Sequence, residues 1–130
     1  MNPYSDTAPI ATTEQFKAAL LATRDWQGIA PIQLQMLQAQ CRAHESTISP
    51  SRLAQDLTFK TAAAARLQYG TLSRAIADKL GYAPPQKARG APCWWFTLST
   101  LRDVPDLRDD QSEWIMRPEL VAALRAMKWA

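Results

Sequence analysis

Residues 49–81 read SPSRLAQDLTFKTAAAARLQYGTLSRAIADKLG, and this stretch decides the fold. Ser49 is a helix-capping residue followed by Pro50, a proline accepted at a first helical position because its missing N–H would have no partner there. Leu53, Ala54 and Leu57 give that helix one apolar side. A second helix is predicted from about Thr61 to Gly81, where a glycine accepts the left-handed conformation that follows a last turn. Its apolar stripe, Ala65, Tyr69, Leu72, Ile76 and Leu80, steps by four, three, four and four residues, which is a helical period. Two helices joined by a turn, with basic residues off the stripe, make a helix-turn-helix candidate, and DNA is the first partner to consider. Gly70 falls inside the second helix, where glycine costs about 1 kcal/mol relative to alanine. Either another element crosses too closely to admit a methyl group or the helix breaks there, and the stripe that continues in phase from Tyr69 to Leu80 favours the crossing.

The net charge of +3 is unevenly spread. Residues 49–91 carry seven basic and two acidic side chains, whereas each flanking part has one more acid than base. The positive surplus therefore sits on the two central helices and the loop after them, as expected of a surface that meets phosphate. With 130 residues, 47% of them apolar and 21% charged, the chain suits one globular domain with a core of its own. No apolar run reaches the roughly 20 residues of a membrane span, and no secretory leader is evident, so no membrane partner and a cytoplasmic location are expected. Cys41 and Cys93 form no CxxC and read as reduced, partly buried thiols.

Residues 1–11, polar with two prolines, read as a flexible N-terminal arm. Residues 12–130 read as a single helical domain. Thr12 and Gln15 have capping-box spacing and open a first helix that buries Phe16, Ala19, Leu20 and Thr23. A turn follows around Gly28, with Trp26 packed beneath it. Pro31 starts a second helix to about His44, with Leu34, Leu37, Cys41 and His44 on one face. Beyond the 49–81 core, residues 82–92 are too rich in proline for a helix or central strand. CWWFTLS, residues 93–99, is predicted to be a strand, with Trp94, Phe96 and Leu98 on one side and Trp95 on the other. An acidic loop leads to EWIMR, residues 113–117, as the partner strand of a hairpin. Pro118 starts a last helix, so hairpin and C-terminal helix together span 93–128. The expected fold class is mainly α (α+β), a helix-turn-helix or winged-helix-like bundle with one small antiparallel β-hairpin.

Leu53-Ala54-Gln55-Asp56-Leu57, then Leu67-Gln68-Tyr69-Gly70-Thr71-Leu72, Ile76-Ala77 and Leu80-Gly81, are followed by a closing Trp114-Ile115-Met116-Arg117-Pro118-Glu119-Leu120-Val121-Ala122-Ala123-Leu124. In order and spacing these segments, covering residues 49–128, resemble an N-terminal domain found ahead of HNH nuclease domains in bacterial restriction-type proteins. Thr58 stands where that pattern carries glycine. The resemblance implies target recognition and leaves cleavage to another domain or partner.

Catalysis within the chain finds little support. An HNH site needs a general-base histidine and further metal ligands, and His44 is the only histidine. Cys41, His44 and Cys93 fall short of the four ligands of a structural zinc site. Asp103, Asp106, Asp109, Asp110 and Glu113 do not have the spacing of a calcium loop. No catalytic residue, metal or cofactor is therefore expected. The candidate DNA-binding residues are Arg52, Lys60, Thr61, Arg66, Gln68, Arg74, Lys87 and Arg89, with Trp94 or Trp95 available to stack on a base. The start of the second helix, residues 61–68, would approach base edges of double-stranded DNA, modified or not. The alternative is a protein-binding adaptor or inhibitor using exposed tryptophan, the basic face and the acidic loop.

Overall fold

The computed structural model describes residues 3–85, 92–101 and 112–130. Its helices are α1 (Thr13–Trp26), α2 (Pro31–Arg42), α3 (Pro50–Asp56), α4 (Ala62–Leu80) and α5 (Pro118–Ala126). Its strands are β1 (Thr47–Ile48), β2 (Ser99–Leu101) and β3 (Trp114–Met116). The chain is mostly helical with a small antiparallel sheet in the order β1-β3-β2.

The helices begin where the caps fall. Thr12 Oγ1 accepts from the Gln15 N–H, and Gln15 Oε1 accepts from the Thr12 N–H at 2.7 Å, a reciprocal pair that satisfies two orphan donors of α1. Ser49 and Thr61 cap α3 and α4 by accepting from the amides of Arg52 and Ala64. Gly81 at φ 68° ends α4, and the next amide, of Tyr82, returns to the Ala77 carbonyl. Helix α4 is the axis of the packing: α1, α2 and α3 all lie against it, and α5 covers α1. Its buried side carries Ala65, Tyr69, Leu72 and Ile76, which meet Phe16, Leu20, Leu37 and Leu53 in one core. Leu80 of the expected stripe is only half-buried at the helix end.

The sheet departs from the expected hairpin in two ways. Strand β3 is central, because Thr47 and Ile48 pair with Ile115 and Trp114 on its other edge. The second difference is at residues 93–99, where Trp94–Thr97 form a 3₁₀ turn and pairing begins only at Ser99, opposite Met116. The cause lies across the chain. Arg117 is 2% exposed, and its Nε and Nη2 both donate to the Phe96 carbonyl, at 3.1 and 2.8 Å, taking the acceptor a strand partner would need. Its guanidinium also lies over the Phe96 ring.

Two smaller expectations are corrected, and some residues of the N-terminal stretch make contacts of their own. Helix α2 stops at Arg42, because Ala43 turns extended and Glu45 and Ser46 take positive φ, so His44 leaves the core with a side chain 94% exposed. Trp26 lies 80% exposed instead of packed under its turn. Near the N-terminus, Tyr4 packs its ring on Trp95 and Phe96, the Ala8 carbonyl accepts from Arg117, and Ala11 is buried.

Candidate nucleic-acid interface

The turn between α3 and α4, residues 57–61, sets how the basic residues are presented. Thr58 sits there at φ 61°, in the left-handed region that glycine occupies without strain. Phe59 is half-buried against the core and anchors the turn. Lys60 projects from it into solvent.

The expected site residues separate into three groups. Lys60 and Arg74 are exposed and Arg66 is half-buried, all on α4 or its approach. Arg66 lines a cavity that Trp94 also lines, and the Arg74 guanidinium carbon stands 5.2 Å from the Trp94 ring centroid. Arg52, Thr61 and Gln68 are committed elsewhere. Arg52 Nε donates to both carboxylate oxygens of Asp56, at 3.1 and 3.2 Å, so its charge is largely matched within α3. The Thr61 hydroxyl oxygen accepts from the Ala64 amide as the cap of its own helix. Gln68 is half-buried, and its Oε1 accepts from Gln33 Nε2 of α2 at 3.3 Å. Lys87 and Arg89 form the third group and lie outside the described residues, as do Asp103, Asp106, Asp109 and Asp110.

Neither Trp94 nor Trp95 is freely exposed; both are half-buried. Because the segment is a 3₁₀ turn and not a strand, the two indoles are not forced to opposite faces. Trp95 continues a column of near-parallel rings, Tyr69 on Trp114 at 4.2 Å and Trp114 to Trp95 at 6.2 Å. The cavity walled by Tyr4, Trp94, Trp95 and Trp114 and by Arg66, Leu67 and Gly70 measures about 730 Å³. An ideal Cβ on Gly70 would meet nothing within 4 Å. Among the described residues there is no close crossing over Gly70 of the kind expected.

Several residues that the sequence pattern does not single out shape the same region. Lys79 holds its ammonium 4.9 Å from the Trp26 ring centroid, a second pairing of a cation on α4 with an indole. Beneath the cavity wall, Tyr69 Oη donates to Gln40 Oε1 at 2.6 Å and lies 2.6 Å from Ser99 Oγ. Gln40 Nε2 donates to Ser99 Oγ and to the Trp114 carbonyl. Burial raises the Tyr69 phenol well above its ordinary range, against the lowering effect of its bonds to Ser99 and Gln40. Burial likewise pulls the Arg117 guanidinium below its ordinary value, with nearby Tyr82, Glu119 and Asp6 opposing. The Cys93 thiol donates to Tyr4 Oη at 3.1 Å, and that bond pushes the phenol up to about 12. A lone glutamine on α2 gives no sequence signal, because its partners lie 29 and more positions away.

Among the described residues no group of three or more His, Cys, Asp or Glu is placed to hold a metal ion, and no helix is long and apolar enough to cross a membrane. Cys41 is buried while His44 stands in solvent, so the two do not converge. Comparisons of the chain with family models, with curated proteins and with solved structures return no match.

Proposed function

We propose that the chain is a non-catalytic DNA-binding, target-recognition module. In this reading α3 and α4 form a helix-turn-helix, and the β2–β3 pair serves as a short wing beside it. The observation that carries the reading is the set of cations on α4 and its approach, Lys60 and Arg74 exposed and Arg66 half-buried, on a helix whose opposite side is locked into the core. Such cations supply phosphate contacts that fix register without reading sequence. Ala63 and Leu67, exposed near the start of α4, offer methyl groups of the kind that meet thymine in a major groove. The resemblance of residues 49–128 to the domain ahead of HNH nucleases supports the same role and leaves cleavage to another polypeptide segment or partner.

Fluorescence anisotropy of a labelled DNA duplex, titrated with the protein at low salt, tests this. Saturable binding that weakens as salt rises is the expected result. Absence of binding to any duplex at low salt would sink the reading.

A protein-binding adaptor is the second reading, favoured by Trp26, whose indole is 80% exposed beside Lys79. Tryptophan with a neighbouring cation is a common anchor of protein interfaces. The two readings part at Trp26→Ala, which should leave duplex affinity unchanged if DNA lies on the Arg66 and Arg74 side.

A further inference from the structure

We propose that the cavity between α4 and the Trp94–Thr97 turn takes a single unstacked nucleobase, with Arg66 holding the phosphate attached to it. The inference rests on the DNA reading and names the part of the nucleic acid held at this place. Its first support is Gly70. Glycine is the poorest helix former after proline, yet this one lies well inside α4. Packing against the described residues does not require it, since none of them stands within 4 Å of where a Cβ would be. What the missing side chain does is leave that turn of the helix bare, as one wall of a cavity of about 730 Å³. Such a volume falls in the range of about 300–1,000 Å³ typical of small-molecule sites.

The chemistry of the walls narrows the occupant. Tyr4, Trp94, Trp95 and Trp114 line the cavity; Trp114 is buried between Tyr69 and Trp95, so the half-buried Tyr4, Trp94 and Trp95 are the rings with π surface left for a flat ligand. Arg66, one turn before Gly70, is the cation among the described lining residues, and no carboxylate lines the cavity with them. Aromatic walls beside a guanidinium that no described carboxylate pairs with suit a planar ring bonded to an anion, and a nucleotide is that combination. A base held in a duplex presents only its edges, so the occupant must be unpaired or turned out of the stack. An aromatic side chain of a peptide would meet the same walls but bring Arg66 no anion.

The test uses the whole chain and two labelled duplexes of one sequence, fully paired or carrying a single bulged adenine. Wild type should bind the bulged duplex about tenfold more tightly, the scale of one base stacked on aromatic side chains. With 2-aminopurine as the bulged base, binding should also change its fluorescence as it enters the cavity. Gly70→Leu fills the cavity from a helix position with open space before it, and should reduce the ratio of the two affinities to about one. Gly70→Gln repeats the test should the leucine variant unfold. Equal affinity of wild type for both duplexes, or an undiminished preference in a folded Gly70 variant, overturns this inference and leaves the DNA reading standing. Failure to bind either duplex overturns both.

Discussion

Arg74 holds its guanidinium carbon 5.2 Å from the centroid of the Trp94 ring, joining the exposed face of α4 to the turn that walls its cavity. A cation over an indole at a partly exposed site contributes about 0.5–1 kcal/mol. Arg74→Ala should lower the thermal midpoint accordingly, and Arg74→Lys, which keeps a cation, should recover part of the loss. An unchanged midpoint in the alanine variant would mean that the stacking does not hold the turn in place.

Thr58 carries a β-branched side chain at φ 61°, where L-residues are disfavoured by about 1–2 kcal/mol. Its hydroxyl offsets some of this by donating to the Leu57 carbonyl at 2.6 Å. Glycine escapes the steric cost but loses more freedom on folding. Thr58→Gly should therefore raise the urea midpoint, by an amount near 0.5–1 kcal/mol. A clear loss of stability would show that the left-handed turn is not strained.

Gly70→Ala should stabilise the protein by about 1 kcal/mol, the ordinary difference between the two residues in a helix, because the new methyl group meets none of the described residues. Urea unfolding of the single variant measures it. Destabilisation would put a close neighbour back over that turn.

The buried trio of Tyr69, Gln40 and Ser99 makes two linked predictions. Tyr69→Phe leaves the Gln40 carbonyl and the Ser99 hydroxyl short of a partner in a dry site, at a cost of about 1–3 kcal/mol. The second concerns alkaline pH. Desolvation raises the folded Tyr69 above its ordinary value of 10.0, so above that pH the unfolded tyrosine ionises first and the unfolded chain binds fewer protons. The stability is present in full below pH 10 and declines as pH rises beyond it. Tyr4 and Tyr82 are shifted upward too, Tyr4 by its bond with Cys93 and Tyr82 by burial, so the Tyr69→Phe variant should show a shallower decline, not a flat one. Urea midpoints measured across alkaline pH decide it, and an identical slope in variant and wild type would remove Tyr69 from the linkage.

How far the sequence could be read depended on the range of the forces involved. Thr12, Ser49, Thr61 and Gly81 act within one helical turn, and the corresponding ends of α1, α3 and α4 were legible from them. The stripe from Ala65 to Ile76 was legible because a helix repeats its buried side. The 3₁₀ turn at Trp94–Thr97 was not, since Arg117 imposes it from 21 positions away. Strand β1 has only Thr47 and Ile48, too few residues to show alternation. In the candidate site, the cations of α4 were legible as charge, but the bond between Gln68 and Gln33 was not, because the two lie 35 positions apart. Gly70 stands out in the sequence for its cost, while its reason, an open cavity instead of a close crossing, is a property of space that the chain order does not carry.

If the cations on α4 and its approach meet DNA phosphates, the affinity for duplex DNA depends on salt through them. Anisotropy titrations at several salt concentrations yield the slope of log affinity against log salt, whose magnitude falls by about one unit for each phosphate left without its cation. Arg66→Ala combined with Arg74→Ala should weaken binding and flatten that slope by about two units, with the fold retained because neither side chain is in the core. A slope that the double substitution leaves at its wild-type value would contradict the account.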